Sequence, residues 1–181
     1  MDARAEEGEV ITIEQLNEIM PHAKAKIPLY ADALNDAMDE FEINTPQRQA
    51  AFLAQVAHES GELRYVQELA SGAAYEGRAD LGNTEPGDGV LYTGRGLIQI
   101  TGRANYARCG SALGVDCVAN PELLETPANA TRSAAWFWST HGCNELADAD
   151  NFRKITLKIN GGLNGYDDRL AYYTRAQEAI A

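Results

Sequence analysis

The sequence predicts a mainly α (α+β) fold with a small β or loop region, on three observations. Helix start and stop signals bracket most of the apolar periodic segments. Turn-forming residues concentrate in one stretch, 71–96. Nothing alternates strand, helix, strand in the manner of a doubly wound sheet.

The elements follow in order. Thr12, with Glu14 and Glu18 behind it, starts a helix that Pro21 stops. A second helix runs from Pro28 to about Phe41, with Leu29, Ala33, Ala37 and Phe41 on one stripe. Thr45-Pro46 is an N-cap followed by proline in the first turn, opening a helix that carries Phe52, Leu53 and Val56 inward and ends near Gly61. In 71–96 the residues Gly72, Gly77, Gly82, Asn83, Pro86, Gly87, Asp88, Gly89, Gly94 and Gly96 leave no room for a regular element. A loop this long inside a compact domain is usually functional. Leu97 to Ile100 is a short strand or a helix start, and Asn105 to Leu113 is helical. The segment PANATRSAAWFWSTH, 127–141, is a strong helix with Ala135, Trp136 and Trp138 in the core. Residues 150–159 and Asp167 to Ile180 complete the helical set.

A chain of 181 residues fits one domain and buries a core without staples. No apolar run approaches the roughly 20 residues of a membrane span, and the acidic start MDARAEEGEV lacks the pattern of a secretory signal. The net charge is −12, of which residues 1–42 carry −8, through 11 acidic against 3 basic residues. Such a chain repels phosphate backbones, so nucleic acid is not an expected partner. Cys109, Cys117 and Cys143 are odd in number and lack the spacing of a zinc site or a disulfide framework. They are expected as reduced, mostly buried thiols, with a Cys109–Cys117 bridge open only under oxidising conditions.

The chemistry candidates are Glu59 and Glu68, in AHESGELRYVQE. Hydrolysis of a glycosidic bond needs one protonated and one ionised carboxyl, roughly 6.5–9.5 Å apart in an inverting enzyme. Nine residues of unbroken helix would separate them by about 13.5 Å on opposite faces, so a straight helix defeats the purpose. Ser60-Gly61 offers the break that turns Glu68 back. Taken alone, two glutamates among so many acids are more often solvated, and His58 is more often a structural hydrogen-bonding group. The string YTGRGLIQITGRANY, 92–106, is far more specific. Gly94, Gly96 and Gly102 permit tight backbone and close approach of a ligand, and Arg95, Gln99, Thr101, Arg103 and Asn105 supply the donors and acceptors a sugar needs. No phosphate-binding glycine motif is present. In KINGGLNGYDDRLAYY, Asn160 is either a turn residue or an amide facing substrate.

AHESG, the glutamate nine residues on, YTGRGLIQITGRANY and INGGLNGYDDRLAYY together resemble glycoside hydrolase family 19, over about residues 45–178. The compact phage endolysins are the branch they resemble most. The resemblance implies a lysozyme-like, two-lobed fold and a single catalytic domain, 1–181. Its catalytic core would be about 45–178, with the acidic helices of 1–44 packed on it. It implies Glu59 as general acid and Glu68 as general base for an inverting attack by water, with Thr101 holding that water. Gln99, Asn105 and Asn160 match substrate-binding positions. Arg169 matches an arginine beside the catalytic carboxyls, and Tyr75, Arg78 and Tyr92 resemble cleft-lining positions. HESG stands where plant members have a longer string, and their extra loops, disulfides and chitin-binding module are not visible.

The expected function is that of an endolysin cutting β-1,4 bonds in peptidoglycan glycan strands, without cofactor or metal. The enzyme would act as a monomer that does not insert in membranes. It would accumulate in the host cytoplasm, be released by a separate holin, and act on the wall in the periplasm. A chitinase is the alternative. A non-catalytic glycan-binding protein is a third reading, against which both glutamates argue. A secreted interbacterial toxin would share the endolysin's chemistry.

Overall fold

Thr12 opens the first helix by a reciprocal cap: its hydroxyl accepts the Gln15 backbone N–H at 3.2 Å while Gln15 Oε1 accepts the Thr12 N–H at 2.8 Å. The computed structural model describes residues 9–181, so Asp2, Glu6 and Glu7 of the acidic start lie outside the described residues. The cap starts α1 (Ile13–Ile19), and α2 (Ile27–Glu40) follows with Pro28 in its first turn. The stripe α2 buries is Ile27, Tyr30, Ala31, Leu34, Ala37 and Met38. Of the expected stripe Ala37 is buried and Phe41 packs against the core, while Ala33 is half-buried and Leu29 is 66% exposed, so the helix is turned from the expected face. Ile27 and Met38, apolar residues on the flanks of that stripe, settle the helix's rotation by burying more surface.

Thr45 caps α3 (Pro46–Ser60) with its hydroxyl on the Arg48 N–H, and Gly61 ends it in the left-handed conformation at φ 57°. Two short helical turns and α4 (Asp88–Leu91) break up the glycine-rich stretch. Then come α5 (Arg103–Leu113), α6 (Pro127–Thr140), α7 (Cys143–Asp148), α8 (Phe152–Asn160) and α9 (Tyr166–Ile180). Leu97 to Ile100 forms neither strand nor helix. It closes a tight turn in which Arg95 and Ile100 exchange backbone hydrogen bonds of 3.1 and 2.8 Å.

The main apolar cluster runs from Ile11 to Ile180, so α1 and α2 share the core of α3, α6 and α9. Their apolar faces explain why an acidic segment packs: Leu16, Ile19 and Met20 are fully buried while the acids face outward. Trp138 sits at the centre, edge-on to Phe52 at 5.5 Å, and its indole N–H donates to Asn144 at 2.8 Å. A smaller cluster of Tyr92, Ile100, Tyr106, Cys109, Leu113, Cys117 and Leu124 lies under the glycine-rich stretch. Phe41 and Phe137 pack against both clusters.

Burial pushes the Cys109 and Cys143 thiols up to about 12, and all three cysteines are unpaired and buried. A thiol held protonated and out of water does not react as a thiolate. Native protein is expected to leave a thiol-reactive chromophore unconsumed over minutes and to consume it at once in denaturant; fast labelling of the native chain would contradict the packing.

Four carboxyls are held below their ordinary range by a facing guanidinium: Asp80 by Arg78, Asp88 by Arg103, Asp148 by Arg48 and Glu40 by Arg132. A depressed folded-state pKa contributes stability above the unfolded value, and that contribution is lost as pH falls through the folded one. The melting temperature should therefore be flat above pH 5 and fall below about pH 4. Asp88→Asn should lessen that fall.

Candidate active site

Glu59 stands one residue before the end of α3, where a helix carboxylate points out of the last turn rather than into the core. The chain then does what a straight helix would not. Gly61, Glu62 and Leu63 take consecutive positive φ values of 57°, 57° and 66°. For glycine this is free, but for glutamate and leucine it costs of order 1–3 kcal/mol each and must be over-determined by the surroundings. The surroundings are visible. Glu62, 5% exposed, accepts the His22 backbone N–H at 2.6 Å, faces His22 Nδ1 at 3.0 Å and accepts the Tyr172 hydroxyl at 2.7 Å. Ser60 Oγ donates to Val56 at 2.6 Å and accepts the Leu63 N–H at 2.8 Å. The reversal delivers residues 66–68 alongside 94–96: Gly96 N–H donates to Val66 at 2.8 Å and Glu68 N–H to Gly94 at 2.9 Å.

As a result Glu59 and Glu68 line the same open pocket of about 370 Å³, together with Tyr65, Leu69, Tyr75 and Gln99. The break expected at Ser60-Gly61 is where it was read. Tyr75 donates its hydroxyl to Glu68 Oε2 at 3.1 Å, and Glu68 Oε1 accepts no hydrogen bond among the described residues. Gly94 closes the floor. A Cβ there would sit 2.6 Å from Gln99 Oε1 and 2.8 Å from Glu68 Oε2, so only glycine lets both side chains reach the pocket. Gly94→Ala should therefore impair activity severely while moving the melting temperature little, since Gln99 and Glu68 yield before the core does; unchanged turnover would show that the two side chains work elsewhere.

Arg169 lies one turn into α9, 1% exposed, with Nη2 2.6 Å from Glu59 Oε1. The approach is a Coulombic pairing rather than an aligned hydrogen bond. Arg169 also donates to Gln55 Oε1 at 2.6 Å and to the Asn164 carbonyl at 3.0 Å. Gln55 in turn donates to Thr156 at 2.9 Å, so α3, α8 and α9 converge behind Glu59. His58 faces Asp168 at 2.6 Å and rests on Gly165, whose absent Cβ would lie 2.3 Å from the ring.

A second pocket, of about 470 Å³, continues from the far side of Gln99 and holds Thr101 and Asn105 with Trp136, Phe137 and His141. Gln99 is common to both pockets, so they adjoin at its side chain. Asn105 donates to the Thr101 carbonyl at 2.7 Å and accepts from Arg108, so its amide is positioned before any ligand arrives. Trp136, expected in the core, is half-buried against the smaller cluster and lines this pocket instead. Its partner two residues on, Trp138, takes the core position, because one helix face cannot bury both. Phe137, Thr140 and His141 were not expected in the groove because nothing local in WFWSTH separates a groove-facing side from a core-facing one, and Arg108 was not because nothing in its own helix marks it.

Other expectations are corrected by where the side chains go. Tyr92 is 2% exposed in the smaller cluster, its hydroxyl on the Val118 carbonyl at 2.9 Å, and does not line the cleft. Arg78 is exposed and clasps Asp80 at 2.5 Å, away from both pockets. Arg95 is held by the Leu91 carbonyl and the Tyr106 hydroxyl, and Arg103 by Asp88, so these guanidinium groups brace the loop rather than meet a sugar. The space a Cβ would take at Gly96 and Gly102 is filled by Ser133 and Leu81. Asn160 Oδ1 accepts the Asn164 N–H at 3.2 Å, the turn role, and its amide nitrogen makes no hydrogen bond among the described residues. No group of three or more His, Cys, Asp or Glu among the described residues is placed to hold a metal ion.

Residues 37–151 match the profile of the chitinase class I family of glycoside hydrolases, family 19. A family 19 domain-containing protein of Haemophilus influenzae is 33% identical, over 87% of this chain and 90% of its own length. The chain belongs to glycoside hydrolase family 19. Acidic endochitinase SP2 of Beta vulgaris is also 33% identical to this family 19 hydrolase, over 70% of the chain but only 46% of the plant protein. The hydrolase thus spans about half the length of that plant relative. Among solved structures, chitinase C from Streptomyces griseus superposes with a TM-score of 0.75 at 27% identity, covering 99% of this chain and 79% of that one. A bacterial family 19 chitinase superposes at 0.77 and 26% identity, covering 96% of each chain. The fold is therefore the lysozyme-like, mainly helical one. Glu59, Glu68, Gln99, Thr101 and Asn105 lie within the matched span, while Asn160 and Arg169 lie beyond it.

Proposed function

We propose that this family 19 hydrolase is an endolysin that cleaves β-1,4 bonds of bacterial peptidoglycan with inversion, Glu59 acting as acid and Glu68 as base. The observation that carries the reaction is the meeting of the two carboxylates in one open groove, from opposite sides of the Gly61–Leu63 reversal. The two carboxylates have different surroundings. Glu68 has one oxygen held by Tyr75, which positions the carboxylate as a base, while the other is buried and accepts no hydrogen bond among the described residues. Glu59 is anchored by Arg169, which fixes the acid's position while it remains partly open to the groove. Gln99 lines the pocket that holds them, and Thr101, in the pocket on the other side of Gln99, would orient sugar and water from there.

The groove belongs to one domain, residues 1–181, with the N-terminal helices sharing its core and the chain working as a monomer. No described helix is long and apolar enough to cross a membrane. Accumulation in the host cytoplasm, release through a separate holin and action on the wall in the periplasm complete the reading.

The test is release of reducing ends from purified Gram-negative peptidoglycan, run beside colloidal chitin, with the wild type and Glu59→Gln. Activity on peptidoglycan that the substitution abolishes supports the proposal. The Beta vulgaris and Streptomyces griseus relatives are chitinases, so chitin is the specific alternative, and activity on chitin alone would establish it.

A further inference from the structure

Several cations of this chain have no carboxylate partner among the described residues, Arg64, Arg153 and Arg175 among them, but of these arginines Arg108 is the one that lines a pocket beside Gln99. Arg48, Arg78, Arg95, Arg103, Arg132 and Arg169 each stand within 4.0 Å of a carboxylate. Arg108 forms no ion pair among the described residues, although the chain carries a net charge of −12. Its one hydrogen bond goes to the neutral amide of Asn105, which turns the guanidinium along the groove wall. The pocket it lines contains no acidic residue. Trp136 and Phe137 give it an apolar platform, and His141 Nδ1, 2.7 Å from the Phe137 carbonyl, keeps that imidazole stacked at 3.9 Å on Phe137.

A homopolymer of N-acetylglucosamine presents hydroxyls and acetamides but no charge. A peptidoglycan strand carries a lactyl ether on alternate sugars, with a carboxylate either on the lactyl group itself or on the peptide attached to it. An unpaired guanidinium is a strong, fork-shaped donor for carboxylate and a poor use of positive charge against a neutral sugar. An acid-free pocket in an otherwise acidic protein also lets an anion approach without repulsion.

We infer that the Gln99–His141 pocket is a specificity subsite that takes the carboxylate-bearing lactyl or lactyl-peptide branch, with Arg108 as its charge partner. This rests on the peptidoglycan reading above and names what in the groove distinguishes that polymer from chitin. Arg108 acts on binding and not on bond cleavage, because it lies on the far side of Gln99 from the pocket that holds Glu59 and Glu68.

The experiment compares wild type, Arg108→Ala and Arg108→Glu on three preparations of the same glycan: intact strands, strands stripped of peptide by an amidase, and either one with its carboxyls converted to methylamides. The expected result is a KM about tenfold higher for Arg108→Ala on carboxylate-bearing strands, the value of one charge-assisted hydrogen bond, with kcat retained. Arg108→Glu should be worse, and all three proteins should converge on the methylamidated strands. A loss that persists on stripped strands assigns the lactyl carboxylate, and a loss confined to intact strands assigns the peptide. Equal losses with and without carboxylates, or none on any strand, would overturn the inference while leaving the peptidoglycan reading intact. A wild type inactive on every strand would overturn both.

Discussion

Glu59→Gln is expected to lower kcat on the glycan substrate by about 10²–10⁴-fold, the usual worth of a positioned proton donor. Glutamine keeps the shape and one acceptor oxygen, so Arg169 retains a neutral partner and the end of α3 keeps its left-handed stop at Gly61. The circular dichroism spectrum should be unchanged and substrate binding by the inactive variant preserved. Glu68→Gln should reduce turnover on the same scale by removing the base that Tyr75 positions, and Thr101→Ala less, since a hydroxyl only orients water. A Glu59→Gln protein with near-normal turnover and the same pH profile would refute the assignment of the acid.

Arg169→Met should do the most damage to the fold. The guanidinium is 1% exposed and holds Glu59, Gln55 and the Asn164 carbonyl at once. Methionine fills much of the volume but leaves a buried amide and a shielded carboxylate without their donor. Removing one partner of a buried pair costs about 3–5 kcal/mol, because the other is stranded. For a domain of this size that corresponds to a drop in melting temperature of roughly 10 °C or more. Arg169→Lys is the discriminating control. It restores charge near Glu59 but not the fork that reaches Gln55 and Asn164, so it should recover part of the stability and little of the activity. Methionine tolerated with a loss under about 1 kcal/mol, the usual range for surface substitutions, would mean that α3 and α9 are held by apolar packing alone.

Glu62 shows how the two effects are linked. Its carboxylate gathers His22, Tyr172 and the reversal after α3 into one point, so it holds Glu59 and Glu68 in register without touching the groove. Glu62→Gln should lower turnover by a moderate factor with KM little changed, and heating should reveal a lower melting temperature. Turnover that falls only in proportion to unfolding would reduce Glu62 to a structural tie.

Local chemistry determined much of this protein in advance. Thr12, Thr45-Pro46 and Gly61 act within a single turn, so their caps and stops form where the sequence places them. The glycines of 71–96 exclude long elements for the same reason, and the order of motifs around Glu59, Glu68 and YTGRGLIQITGRANY carries the family. The rotation of α2, the division of labour between Trp136 and Trp138, and the diversion of Tyr92, Arg95 and Arg103 into bracing roles were decided elsewhere. Each depends on a partner distant in sequence: Arg103 on Asp88, Tyr92 on Val118, Glu62 on His22 and Tyr172. A side chain's periodicity says that it has a buried face but not which neighbour offers the larger apolar area or the free carbonyl. Only the packed structure decides that, and with it which of the polar side chains line the groove and which hold its wall.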